Sequence, residues 1–146
     1  MTKGVLRFFF EYGAGGCLWA GDDATRDTLG YGPVDARRRS LDEQVTAARF
    51  PLSIEASTLQ EQLDFEHSGY LNPLYPPDPS LWSQALCDRF NARVEQLLAL
   101  LKREIAETYL IVDQQDRYVE DSGLDAYLMM NPTLAKLGKV VTPTVR

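Results

Sequence analysis

Gly13, Gly15 and Gly16 follow an apolar, aromatic run. Glycines placed there can cradle a phosphate with backbone N–H groups at the start of a helix. The pattern departs from that chemistry in detail. A GxGxxG loop requires glycine at position 18, where Leu18 stands, and no Walker lysine follows. Glu11 beside the loop would repel an anion, so the glycines are expected to form a structural turn.

Asp64, Glu66 and His67 bring carboxylate and imidazole together, and Glu61, Asp64 and His67 share a helical face at three-residue steps. His67 is the only histidine in the chain. A zinc centre draws on several imidazole or thiolate ligands, so no metal is expected here. Cys17, beside the glycines, could act as a nucleophile with His67 as its base. That reading defines an alternative pocket of Glu11, Cys17, Trp19 and His67, between the turn at 13–19 and the helix carrying DFEH. A cysteine between Gly16 and Leu18 is otherwise a small buried hydrophobe, and the same holds for Cys87 beside Leu86. Asp22 and Asp23 form a carboxylate pair, with Asp23 expected to cap a helix. None of these groups has a second catalytic partner at a defined spacing, so the sequence specifies no catalytic residue and no cofactor.

The strongest feature is electrostatic. Residues 41–80 hold seven acids (Asp42, Glu43, Glu55, Glu61, Asp64, Glu66, Asp78) against one base, Arg49, a net of −6. The remaining residues balance, with fourteen acids and fourteen bases, so the chain's formal charge of −6 resides in that segment. Such a surplus works against binding a phosphate backbone, so nucleic acid is not expected as a partner. It suits a solvated face or attraction to a basic protein surface.

At 146 residues the chain is expected to form a single domain, with residues 121–146 a peripheral extension. No apolar stretch approaches the roughly 20 residues that span a bilayer, and Glu11 interrupts the start before a signal-peptide core is complete. Cys17 and Cys87 lie far apart, with no CxxC pattern. These features together predict a cytoplasmic protein.

Several elements must position the candidate residues. Residues 5–12, VLRFFFEY, predict a strand buried on both faces. Residues 17–19 then form either a hairpin return or an ordered loop. A short helix is expected over 24–29, ended by Gly30. Ser40 with Glu43 predicts a helix through Ala48, closed by Pro51. Residues 52–56 read as a brief edge strand, and Ser57 with Gln60 opens the acidic helix. YLNPLYPPDP, residues 70–79, predicts a stiff extended connector packed on the body. Ser80 is expected to cap a helix over 81–106, with Leu86, Phe90, Val94, Leu97, Leu98, Leu101 and Ile105 as its inward stripe. Residues 108–112, TYLIV, predict a buried strand, and 117–119 a short return. Helices are expected over 124–130 and 133–137, with 140–146 a tail. The class is α+β, a small sheet packed by helices.

The stretch FFFEYGAGGCLWAGDDATRDTLGYGPVD, with PPDPSLW and CDRFNARV, resembles small stand-alone bacterial proteins to which no activity is assigned. In size, acidity and lack of a catalytic signature the chain is also similar in kind to cytoplasmic immunity proteins of bacterial toxin systems, which cover a toxin's active surface. That resemblance implies a non-catalytic binding module for a protein with a basic surface. The expected contacts are the acidic residues Glu61, Asp64 and Glu66, with the aromatics Tyr70, Tyr75 and Trp82, since tyrosine and tryptophan at element ends are enriched in binding hot spots.

Overall fold

The run VLRFFF places leucine and phenylalanine on alternate positions, and the sheet exploits that alternation. The computed structural model describes residues 3–35 and 52–138. The helix expected from Ser40 through Ala48 and the tail at 140–146 lie outside the described residues, as do Asp42 and Glu43. The fold is α+β. The chain divides into two compact units, Met1–Ser68 with Arg93–Asp116 and Gly69–Ala92 with Arg117–Arg146.

In the first unit, strand β1 (Gly4–Phe8) pairs antiparallel with β2 (Leu18–Ala20) in the register Leu6↔Ala20 and Phe8↔Leu18. The segment at 17–19 is therefore the hairpin return. Strand β3 (Tyr109–Asp113) lies parallel on the other side of β1, from Gly4↔Tyr109 to Phe8↔Asp113. Among the described residues the sheet order is β2-β1-β3. Burial on both faces of β1 is not what forms. Leu6, Phe8 and Phe10 are buried on one face. On the other, Arg7 is exposed, its guanidinium 5.1 Å from the Phe9 ring, which stacks on Trp19 at 4.9 Å. The strand thus follows the half-buried pattern usual for antiparallel pairing.

Helix α1 (Asp23–Leu29) is capped by Asp22, whose Oδ1 accepts from Thr25 N at 2.8 Å, and not by Asp23. Asp23 sits in the first turn and pairs with Arg26 at 3.2 Å. Gly30 ends the helix at φ +86°. Helix α2 (Ile54–Ser68) begins earlier than its Ser57 pattern indicates, which removes the expected edge strand at 52–56. The cap is Ser53, whose hydroxyl accepts from Ala56 N at 3.0 Å and donates to Glu104 at 2.7 Å. Ala56, Leu59, Leu63 and His67 line its buried face at steps of three and four.

Helix α3 (Gln84–Ile105) carries the chain from the second unit into the first. Its predicted stripe is buried throughout, from Leu86 to Ile105. Burying each such leucine or phenylalanine stabilises the fold by about 1.5–3 kcal/mol relative to exposure. Ser83 caps the helix by accepting from Leu86 N at 3.1 Å. Ser80 has a different task, donating to Tyr70 O and accepting from Trp82 N.

The second unit is built on aromatic rings. Trp82 lies 5.0 Å from Tyr70 and 5.1 Å from Phe90, and Tyr70 stacks on Tyr118 at 4.1 Å. The expected strand at 117–119 does not form. Asn91 on α3 instead bonds both backbone groups of Tyr118, at 2.8 and 2.9 Å. Helix α4 (Leu124–Met130) buries Leu124. The helix expected at 133–137 is replaced by an extended contact, in which Leu137 bonds the backbone of Leu81 and Ser83.

Candidate functional site

The turn between β1 and β2 is made by residues whose backbone needs are unusual. Gly13 and Gly15 take φ of +73° and +79°, the left-handed region that a Cβ disfavours. They reverse the chain so that the carbonyl of Gly15 meets the Gln60 side chain of α2 at 3.3 Å. Tyr12 stacks on His67 at 4.6 Å, and Phe10 lies 5.8 Å from the same ring. The fold therefore brings the glycine turn and the helix bearing DFEH together, while Trp19 stacks on Phe9 and stands apart from the His67 contacts. His67 is buried among those rings. Burial holds its imidazole below the usual histidine range, against the opposing pull of the Glu11 charge.

Cys17 is fully buried. Its thiol donates to Asp35 Oδ2 at 3.3 Å, and its backbone N–H donates to the same carboxylate at 3.0 Å. Leu18 N adds a bond at 2.9 Å. Burial, then the negative charges of Asp35 and Asp64, push the thiol well above its usual range. A nucleophilic cysteine needs the opposite, an electropositive setting that favours thiolate. Asp35 is itself raised, because desolvation outweighs the bonds it accepts. Asp64, half-buried on α2, is raised by burial and by the charge of Asp35. Among the described residues, no three His, Cys, Asp or Glu side chains are grouped to hold a metal ion.

The acidic helix does not present its carboxylates uniformly. Glu61 points outward and is exposed. Glu66 lies 3.4 Å from Arg93, and Arg93 also donates to Gln62. Glu55 is paired with Arg103 at 4.0 Å. Phe65, not among the expected contacts, stands 82% exposed on this helix. A signal for it was present: Phe65 follows Leu63 by two residues and so falls off the buried stripe.

In the second unit, Trp82 is only 2% exposed and belongs to the aromatic core, while Tyr70 is half-buried beside it. Tyr75 is 59% exposed and Leu74 67%. Their loop is not the extended path expected from its prolines, since Asp78 N bonds Tyr75 O at 2.9 Å and closes a turn. Asn72, buried, organises it. Its Oδ1 accepts from Leu74 N and Tyr75 N at 3.0 and 3.3 Å, and its Nδ2 donates to Pro79 O at 2.9 Å. Asparagine suits this work because its short amide imitates a backbone turn.

A shallow groove of about 450 Å³ lies elsewhere in the first unit, lined by Lys3, Gly4, Thr25, Thr28 and Tyr109 among others. Lys3 there donates to Ala106 O, and Thr25 accepts from Val5 N, so both polar groups serve the fold. Among the described residues, no helix is long and apolar enough to cross a membrane. Compared with family models, curated proteins and solved structures, the chain has no match.

Proposed function

We propose that this chain is a non-catalytic protein-binding module, and that loop 70–80 is its principal contact element. The observation that carries this reading is the pairing of two exposed apolar side chains, Leu74 and Tyr75, with a buried asparagine that holds their backbone in place. Apolar side chains carried on a backbone already held in place cost less ordering on binding than those of a free loop, which helps a small patch gain affinity. The negative charge of residues 41–80 adds long-range attraction for a basic partner. Neutralising such a partner by covering its surface, as immunity proteins do, is the form of binding that this combination serves. The alternative, an enzyme working at the glycine turn, draws no support from Cys17, whose thiol is pushed up first by burial and then by its acidic neighbours.

A photo-reactive residue at position 75, introduced in cells of the source organism, tests the reading. It should cross-link one protein that the same label at Asp27, on α1, does not capture, and Leu74→Ser should abolish the product. Equal capture from both positions would remove the loop from consideration.

A further inference from the structure

We infer that the partner receives loop 70–80 in a groove walled by tryptophan and tyrosine rings, whose N–H and O–H groups bond the carbonyls of the loop. The inference rests on the binding-module reading and names the kind of surface that the loop fits. Five consecutive residues, Pro73, Leu74, Tyr75, Pro76 and Pro77, are exposed, all within the second unit. Their backbone has no donor to offer. Pro73, Pro76, Pro77 and Pro79 carry no N–H. The other N–H groups between 73 and 79 are already engaged, those of Leu74 and Tyr75 by Asn72 Oδ1 and that of Asp78 by Tyr75 O. The carbonyls of Pro73, Leu74, Pro76 and Pro77, by contrast, accept no bond among the described residues.

A surface of acceptors and apolar rings restricts what can cover it. An added β-strand requires donors and acceptors in alternation from the chain it joins, so it cannot pair here. A second proline-rich segment would bring no donors either. Tryptophan and tyrosine meet both needs, because each has an apolar face to lay against a proline ring or Leu74 and a polar tip that donates. Little ordering is lost in such docking, since the prolines fix φ and Asn72 holds the turn. Asp78 adds one charge. Its carboxylate is half-buried and makes no hydrogen bond or ion pair among the described residues, which suits an arginine or lysine at the edge of the groove.

The probe is indole, a single aromatic system with one N–H donor, titrated into the full chain carrying isotope-labelled proline and followed by NMR. The ring hydrogens of Pro76 and Pro77 should move upfield, as hydrogens over an aromatic face do, while those of the exposed Pro132 after α4 stay in place. N-methylindole keeps the ring and lacks the donor, and at equal concentration its shifts should be several-fold smaller. Asn72→Ala, which frees the turn, should remove the preference for Pro76 and Pro77 over Pro132. Equal shifts at Pro132, equal response to the two indoles, or no shift at Pro76 and Pro77 overturns the inference. A second measurement uses the protein captured from position 75, purified on its own. Pro77→Ala should weaken its binding by about tenfold, the scale of a central contact, and Asp78→Asn should weaken it several-fold. Circular dichroism confirms that each variant is folded. Wild-type affinity in Pro77→Ala, beside specific cross-linking at position 75, means that Leu74 and Tyr75 bind a different kind of surface: this inference then fails while the binding-module reading stands. Failure of that reading is seen separately, in equal capture from positions 75 and 27.

Discussion

Asp35 holds Cys17 from both its backbone and its side chain: one carboxylate accepts the Cys17 N–H at 3.0 Å and the Cys17 thiol at 3.3 Å. With Leu18 N as a third donor, this carboxylate joins the end of the glycine turn to the segment after α1. Removing it by Asp35→Ala leaves those buried N–H groups unsatisfied and should cost about 1–3 kcal/mol in urea unfolding. Asp35→Asn retains an acceptor oxygen, and should cost much less at neutral pH.

The pH dependence of these variants has a definite sign. Burial raises Asp35 above the ordinary aspartate value of 3.8. The folded state therefore binds its proton more tightly than the unfolded chain does. The associated stability is fully present below 3.8 and is lost as pH rises through the raised value. His67 acts oppositely. Its lowered pKa means that stability present above the ordinary value of 6.5 is lost as pH falls through the lowered one. Urea midpoints measured across pH should flatten on the acid side in Asp35→Asn, and His67→Gln should remove the loss that accompanies histidine protonation. Parallel curves for wild type and Asp35→Asn would refute the assignment.

Cys17 should be chemically quiet. Iodoacetamide ought to modify it at least about 100-fold more slowly in the folded chain than in urea, because reaction awaits an opening that exposes the thiol. Mass spectrometry of the tryptic peptide reports the rate. Rapid labelling under native conditions would reinstate a reactive cysteine.

The stripe of α3 supplies the clearest stability test. Phe90 and Leu97 are fully buried, so Phe90→Ala or Leu97→Ala should destabilise by about 2–5 kcal/mol, through lost burial and the cavity left behind. The urea midpoint should fall with its slope unchanged. A loss below about 0.5 kcal/mol would place either residue at the surface.

Asn72 controls the shape of loop 70–80. Asn72→Ala removes two acceptances and one donation, and should cost about 1–3 kcal/mol locally. Limited proteolysis should then cut after Leu74 several-fold faster than in wild type, while the α-helical circular dichroism is preserved. Unchanged cleavage would show that the prolines alone order the loop.

By itself the sequence determined what repeats within one element. The stripe of α3, the existence of α2 and the seat of the acidic charge follow from spacing and composition, because helical periodicity is a local property that burial then reads out. Local caps were less legible. Ser53 and Ser83 displaced Ser57 and Ser80, since several serines stand near each helix start and the geometry of the preceding chain selects one. What only the tertiary structure decided is everything that joins residues distant in the chain. The parallel register of Gly4 with Tyr109, the bond from Asp35 to Cys17 and the stacking of Tyr12 on His67 have no periodic signature. The same is true of Trp82 and Tyr75: both are aromatic and close to prolines, yet one fills a core and the other stands exposed. Composition marks both as able to bury apolar area, but which of them has neighbours to bury it against is settled only when the chain folds.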